Sequence, residues 1–197
     1  MTARDDGVNR TGEARMASTL ELLSPVSSSM ISGFSSPRDA YLVLLKPAPL
    51  AGMRHPSSLT PSAWRALAST GFHYVVCLTD DVPGYDPTPV VVLHAVHLKD
   101  LVGGGSPTNP HREESHIRNI AEKVLSTLSL GKGVIVHCAG GTGRTGTVIG
   151  CVLRGLGCSS SKVFHYFEEL NAVRGKKRPV SGWPESEWQR ELVERFV

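Results

Sequence analysis

The sequence lacks the features that identify membrane proteins, disulfide-rich secreted domains and zinc proteins. Its 197 residues contain no apolar run long enough to span a bilayer, and the N-terminus lacks the charged-then-apolar layout of a secretory signal, so we expect a cytoplasmic protein. The four cysteines have no zinc-like spacing and should be reduced in that compartment. His111 and His116 lie five apart rather than the four of a helical ligand pair. We therefore expect no metal and no cofactor.

The charge distribution excludes a strongly basic or strongly acidic protein. The formal net charge is +3, and aromatic residues make up 6% of the chain. Four cations are concentrated in the segment 174–178, which is either a solvated turn or a receptor for a second phosphate or an acidic substrate segment. Because no aromatic platform or recognisable nucleic-acid module accompanies this segment, we expect no nucleic-acid partner, and we expect no membrane partner either.

The composition divides the chain into an N-terminal segment and one domain. Residues 1–38 are polar or rich in Ser, Gly and Pro, which predicts weak order, although Met16 to Leu23 could form a short helix. Residues 39–197 are long enough for a single domain, and a hydrophobic content of 40% over the whole chain is sufficient for a core.

Alternating helix-like and strand-like segments predict an α/β fold with a central, mostly parallel sheet flanked by helices. The predicted strands cover residues 41–45, 74–78, 91–98 and 133–137. The predicted helices cover residues 62–70, 111–128, 144–156, 159–173 and 184–196. In such folds a ligand lies at the carboxyl ends of the strands, and both Cys138 and Asp100 fall there.

The most informative segment is His137-Cys138-Ala139-Gly140-Gly141-Thr142-Gly143-Arg144-Thr145-Gly146, a glycine-rich turn between an apolar strand and an apolar helix. Unpaired N–H groups of the turn and of the helix N-terminus would converge on one point and bind an oxyanion. The same positive potential favours the thiolate form of Cys138. The planar guanidinium of Arg144 matches two phosphate oxygens. The segment therefore predicts that a phosphate monoester is bound and attacked.

Three alternative interpretations apply to this segment. The segment satisfies G-x-G-x-x-G, but a dinucleotide site needs a second strand ending in an acidic residue, and residues 163–170 are helical in pattern instead. A nucleotide-triphosphate loop requires Gly-Lys-Ser/Thr, whereas Arg144 follows Gly143. A glycine-rich turn beside a structural cysteine is the simplest alternative and stays open.

The segment from His137 to Gly146 resembles the HCx5R signature of the cysteine-dependent protein tyrosine and dual-specificity phosphatase superfamily. Residues 185–196 are similar to the closing helix of small atypical bacterial members. Two upstream segments resemble the subgroup of the cyclin-dependent-kinase-associated phosphatase, namely residues 74–79 and residues 97–107. The resemblance covers about residues 41–197 and implies a dual-specificity phosphatase-like fold.

The resemblance implies a catalytic set. Cys138 would form a cysteinyl-phosphate, Arg144 would bind the phosphate together with Ala139, Gly140, Gly141, Thr142 and Gly143, and Asp100 would be the general acid. Asp100 also ends a strand-like run before a Gly-rich loop, although a turn-capping role is the alternative. The three carboxylates that are less favoured lie in an ordinary turn; they are Asp80, Asp81 and Asp86.

Four further residues would have supporting roles. The resemblance implies that His137 supports the loop through hydrogen bonds, while the position of Thr145 predicts that its hydroxyl donates to the departing sulfur. Gln189 would orient the hydrolytic water, unless it is a solvated glutamine on a helix surface. Cys77 would be a redox partner of Cys138, unless it is simply a small buried hydrophobe, which is the commoner case.

These inferences predict a metal-independent phosphomonoester hydrolase. A protein tyrosine or dual-specificity phosphatase acting on a phosphorylated protein is the first candidate. The alternatives are a phosphatase acting on a small phosphometabolite such as a nucleotide or sugar phosphate, and a pseudophosphatase that binds phosphate without turning it over.

Overall fold

The computed structural model describes residues 23–26, 31, 34 and 36–197. The possible helix from Met16 to Leu23 lies outside these residues except for Leu23, which forms an antiparallel bridge with Leu44. Ile31 is buried as well. Part of the segment for which weak order was predicted therefore packs on the domain.

The described residues form strands and helices in alternation along most of the chain. The strands are β1 (Ala40–Leu44), β2 (Leu50–Met53), β3 (Phe72–Cys77), β4 (Val91–Ala95) and β5 (Gly133–His137). The helices are α1 (Pro61–Ser69), α2 (Pro110–Ser129), α3 (Gly143–Gly155), α4 (Ser160–Val173) and α5 (Glu187–Arg195).

The strands form one five-stranded sheet in the order β1-β2-β5-β3-β4. Strand β1 pairs antiparallel with β2, while the other three pairings are parallel. The expected α/β fold with a mostly parallel sheet is confirmed. Because β5 is the central strand, the chain leaves it at Cys138 in the middle of the carboxyl edge, where ligands bind in parallel sheets.

Two bounds differ by three residues from the sequence-based prediction, and one strand was not predicted. Strand β2 is only four residues long and contains Gly52, so its sequence does not indicate a strand. In the structure it is a strand because it pairs with β5. Helix α5 begins at Glu187 rather than 184, because Ser186 is the N-cap of a capping box. Strand β4 ends at Ala95, although Leu98 N still donates to Leu78 O.

The sheet carries a hydrophobic core on each face. One core contains Val76, Val136 and Cys138 together with residues of α2 to α5. The other contains Val75 and Ile135 packed against α1. Successive side chains along a strand point to opposite faces of the sheet. Each residue near the carboxyl edge can therefore be assigned to one of the two cores. No helix in the described part of the chain is long and apolar enough to cross a membrane.

Candidate active site

The glycine-rich loop, residues 138–142, connects the central strand β5 to the N-terminus of α3. Cys138 lies at the floor of the loop and is only 3% exposed. Among the described residues, the N–H groups of residues 139–142 have no hydrogen-bond acceptor, so they are available to an anion together with the first N–H groups of α3. The structure therefore brings the predicted phosphate-binding residues into one cradle.

The carbonyl groups of the loop are held from outside the cradle. The buried hydroxyl of Tyr41 donates to Gly141 O at 2.8 Å, and burial raises the pKa of Tyr41 to about 12, so this donor keeps its proton. The backbone N–H of His55 donates to Ala139 O at 3.1 Å. The Tyr41 ring covers Gly52, where a side chain would overlap it. These bonds fix the backbone orientation that leaves the N–H groups free.

Gly141 is required by both its conformation and its surroundings. Its φ is +68°, a region that favours glycine, and a Cβ atom there would lie 2.6 Å from the carbonyl carbon of Met53. The loop thus rests directly on the end of β2, the strand that was not predicted.

Arg174 supports the loop from outside and is not a solvated residue. It is 2% exposed, and its guanidinium lies 4.1 Å from the centre of the Tyr41 ring. Its Nη2 donates to Gly140 O at 3.4 Å, and its Nη1 contacts Thr142 Oγ1 at 3.5 Å. A permanently charged group is therefore buried directly behind the cradle, where it adds to the positive potential.

Arg144 is buried, and hydrogen bonds hold its guanidinium at the edge of the sheet. Its Nη2 donates to Asp100 Oδ2 at 2.7 Å, and its Nη1 donates to Leu98 O at 3.3 Å. The sequence predicted that both Arg144 and Asp100 belong to the site, and the structure brings them into contact.

Oδ1 of Asp100 accepts the backbone N–H of Val102 at 3.1 Å, which is the turn-capping contact of the alternative interpretation, while its Oδ2 binds Arg144. The three other carboxylates have partners away from Arg144. Asp80 accepts a bond from Thr79, Asp81 accepts the backbone N–H of His97, and Asp86 accepts two bonds from Thr88. Asp100 is 48% exposed beside the cradle, so it is the acidic residue of this group that faces the site.

His137 supports the site from behind, through a partner that the sequence did not indicate. Its Nε2 and the hydroxyl of Tyr85 are hydrogen-bonded at 2.5 Å, while its Nδ1 has no hydrogen-bond partner among the described residues. Burial lowers the pKa of His137 to about 4, and the neighbouring His55 lowers it as well. The ring is therefore neutral at pH 7.

Two of the predicted supporting side chains are buried. The hydroxyl of Thr145 has no hydrogen-bond partner among the described residues, so its bond to the departing Cys138 sulfur stays a prediction. Gln189 is 3% exposed, which makes the solvated alternative wrong. Its Oε1 accepts the backbone N–H of Ser186 at 3.2 Å within the capping box of α5.

Cys77 lies on the other face of the sheet from Cys138. It is in register with His137 across the β3–β5 pair, and its sulfur lies 3.4 Å from Thr79 Oγ1. Cys138, by contrast, belongs to the core on the opposite face, together with Leu78. The structure therefore places the side chains of Cys138 and Cys77 on opposite faces of the sheet.

Beside the cradle lies an open cleft of about 750 Å³. The Gly-rich loop 102–105 lines one side, and residues 177–181 line the other. Glu185 lies between the cleft and the first residue of α3. The sequence did not indicate that this residue belongs to the site. Within the described residues, no cluster of His, Cys, Asp or Glu side chains could hold a metal ion.

Comparison with known proteins agrees with this geometry. Residues 39–193 match the family described as "Swiss Army Knife protein, DSP-PTPase phosphatase domain". The fold is similar to that of human DUSP28, with a TM-score of 0.53 and 17% sequence identity over 75% of this chain and 86% of that one. It is also similar to PTPMT1 in complex with PI(5)P, with a TM-score of 0.51 and 18% identity over 75% of this chain and 88% of that one.

A third similar structure is the kinase associated phosphatase KAP carrying a serine in place of its catalytic-site cysteine. Its TM-score is 0.51, with 19% identity over 76% of this chain and 85% of that one. Identities this low show the fold, whereas the family match spans most of the chain. The protein therefore belongs to the DSP-PTPase family and is a cysteine-dependent phosphatase of the protein tyrosine and dual-specificity type.

Proposed function

We propose that Cys138 attacks the phosphorus of a phosphomonoester bound in the glycine-rich loop and that Arg144 binds two of its oxygens. The observation that carries this assignment is the anchoring of the loop carbonyls by Tyr41, His55 and Arg174. It leaves the loop N–H groups free around a cysteine at the floor of the cradle.

Asp100 supplies the proton in the first step. The sulfur of Cys138 forms a bond to phosphorus while the bond from phosphorus to the leaving oxygen breaks, and the Asp100 carboxyl group protonates that oxygen. Asp100 is paired with Arg144 before substrate binds. When the phosphate binds the Arg144 guanidinium, Asp100 is released, accepts a proton from solvent and donates it to the leaving oxygen.

The substrates of this family include phosphoproteins and phosphoinositides or small phosphates. For this protein we favour a phosphotyrosine side chain on a protein, because Cys138 lies buried at the floor of the cradle. A phosphotyrosine reaches such a floor more readily than the shorter phosphoserine or phosphothreonine. The adjoining cleft is open enough to receive the flanking peptide.

A phosphometabolite with a second phosphate is the other candidate. Lys177 and Arg178 line the cleft beside the cradle, and they could bind such a group. Arg178 is already paired with Glu168 at 2.7 Å, which weakens this candidate.

A phosphate-release panel tests the proposal. Phosphotyrosine, phosphoserine and phosphothreonine peptides are compared with nucleotide, sugar and inositol phosphates, and the Cys138→Ser variant is the control. We expect the highest kcat/KM on phosphotyrosine peptides and no release by the variant. A clear preference for a small phosphate would contradict the proposed protein substrate and identify a phosphometabolite as the substrate instead. Absence of turnover on every compound by a folded wild-type protein would favour phosphate binding without catalysis.

A further inference from the structure

Glu185 places a second carboxylate at the cradle, and the catalytic set described above does not use it. Its Oε2 lies so close to Gly143 that a Cβ atom on that residue would overlap the carboxylate. Gly143 does not have a positive φ, so its backbone conformation does not require glycine. The missing side chain at 143 instead allows the Glu185 carboxylate to approach the N-terminus of α3.

The segment that carries Glu185 is held firmly. Ser181 Oγ donates to Glu185 O at 2.8 Å, and the next residue, Ser186, is the N-cap of α5. Trp183 and Pro184, which precede Glu185, are buried. The carboxylate therefore occupies a defined place beside the cradle.

Four charged groups face Glu185 from three parts of the chain: Arg144 on α3, Arg174 and Lys176 after α4, and Asp100 after β4. Burial raises the pKa of Glu185, and the negative charge of Asp100 raises it further, whereas the three cations oppose this shift. A half-buried carboxyl group in such surroundings can both accept and release a proton during a reaction.

The glutamine that would orient the hydrolytic water is not free for that role. Gln189 is buried, and its Oε1 is occupied by the N–H of Ser186. Glu185 lies four residues before it, ahead of the N-cap of α5, and its carboxylate lies against Gly143 at the cradle. The second half-reaction therefore needs a water-binding group, and Glu185 is the side chain in place.

We propose that Glu185 binds and orients the water molecule that hydrolyses the phosphate ester of Cys138. In this step the water oxygen forms a bond to phosphorus, the phosphorus–sulfur bond breaks, and the electron pair stays on the sulfur as thiolate. One proton of the water goes to Asp100, which the first step left as a carboxylate, and the product is hydrogen phosphate. The proposal rests on the function proposed above, since it assigns a residue to its second step.

Pre-steady-state kinetics with p-nitrophenyl phosphate test it, using Glu185→Gln, Glu185→Ala and wild type. The first step controls kcat/KM, and the second controls kcat if hydrolysis is slow. We expect kcat of both variants to fall at least about tenfold, while kcat/KM changes less than about twofold. Acid-quenched samples should contain more phosphoenzyme at steady state than wild type. The control is Glu191→Gln, an exposed glutamate on α5, which should leave all three readouts unchanged.

The proposal is overturned if Glu185→Gln has the same kcat as active wild-type protein. It is also overturned if kcat and kcat/KM of the variant fall together without an increase in phosphoenzyme. That second result would indicate a structural role. Glu185→Gln keeps the size of the side chain, so it remains informative if Glu185→Ala folds poorly. A wild-type protein that forms no phosphoenzyme at all would refute the proposed function itself, and this proposal with it.

Discussion

The guanidinium of Arg144 donates from Nη2 to Oδ2 of Asp100 at 2.7 Å, so the proposed phosphate-binding residue and the proposed proton donor are bound to each other in the empty site. Arg144 is buried, while Asp100 is half-exposed. Phosphate must therefore compete with the Asp100 carboxylate for Nη2 of the guanidinium. The competition links substrate binding to the release of Asp100.

This pairing gives Asp100→Asn two opposite effects. Loss of the carboxylate should free Arg144, so that inorganic phosphate inhibits more strongly. Because a half-exposed ion pair is worth up to ~1 kcal/mol, the Ki of phosphate should fall by up to about fivefold. Loss of the proton donor should lower kcat/KM, most for alkyl phosphates and least for aryl phosphates with acidic leaving groups. Steady-state kinetics over a series of leaving groups, with phosphate as inhibitor, measure both effects.

Asp81→Asn is the matched control for that experiment. Its carboxylate lies at the same edge of the sheet but accepts the N–H of His97. We expect no dependence of its effect on the leaving group. If Asp81→Asn showed that dependence and Asp100→Asn did not, the assignment of the general acid would move to Asp81.

The hydroxyl of Tyr41 should matter for catalysis as well as for stability. Tyr41→Phe removes the bond to Gly141 O, which should destabilise the fold by ~1 kcal/mol and lower kcat/KM by about tenfold, because the loop N–H groups lose their fixed orientation. Urea unfolding and kinetics with an aryl phosphate measure the two effects.

Tyr166→Phe separates the effect on stability from the effect on catalysis. The Tyr166 hydroxyl is also buried and also donates to backbone carbonyls, those of Leu42 and Val43 in β1, away from the loop. We expect a similar loss of stability without loss of kcat/KM. Equal catalytic losses in both variants would mean that Tyr41 acts only through global stability.

The sequence predicted the elements that carry strong local signals. Helices α1 to α4 and strand β5 lie within a few residues of their expected bounds, because apolar periodicity and β-branched runs are local properties. The cradle followed from the same kind of evidence, since the residues from His137 to Gly146 are consecutive.

The residues that anchor and complete the cradle could not be predicted in this way. Tyr41 and Gly141 are 100 positions apart, and Arg174 reaches back 34 positions to Gly140. A tyrosine in an apolar strand and an arginine in a basic turn carry no local sign of such contacts. Their roles depend on the order of strands in the sheet, which sets what lies next to the loop.

Gly141→Ala should abolish phosphate binding. The substitution adds the strain of a positive φ, about 1 kcal/mol, and also places a Cβ atom against the backbone of Met53, so the loop must shift. Gly157→Ala is the control, because Gly157 also has a positive φ but has open space around its Cα. Phosphate binding measured by calorimetry should be lost in the first variant and kept in the second. Retained binding in Gly141→Ala would show that the loop tolerates displacement.

The neutral state of His137 should make the fold sensitive to mild acid. Burial lowers its pKa from the ordinary 6.5 to about 4, so the unfolded chain takes up this proton more readily than the folded protein. The contribution to stability is complete above pH 6.5 and is lost as the pH falls towards 4, at most about 3 kcal/mol.

Urea unfolding of wild type and His137→Gln between pH 7.5 and 4.5 tests this. The difference in unfolding free energy between the two proteins should shrink as the pH falls. His165→Gln, a change at an exposed histidine, should run parallel to wild type over the same range. A difference that stays constant with pH would mean that His137 is not held neutral in the folded protein.

Oxidation should not join Cys77 to Cys138. The two residues lie on opposite faces of the sheet, with Cys77 beside Thr79 and His137 and with Cys138 in the core that contains Leu78. A disulfide needs Cβ atoms within about 4.5 Å that point towards each other, which the alternation of side chains prevents without movement of β3. Peroxide should therefore convert Cys138 to its sulfinic acid, a step that reducing agents do not reverse. Peptide mass spectrometry should find no Cys77–Cys138 linkage, and Cys77→Ala should be inactivated at the same rate as wild type. A linked peptide whose reduction restores activity would show that the carboxyl end of β3 rearranges to bring Cys77 to the cradle.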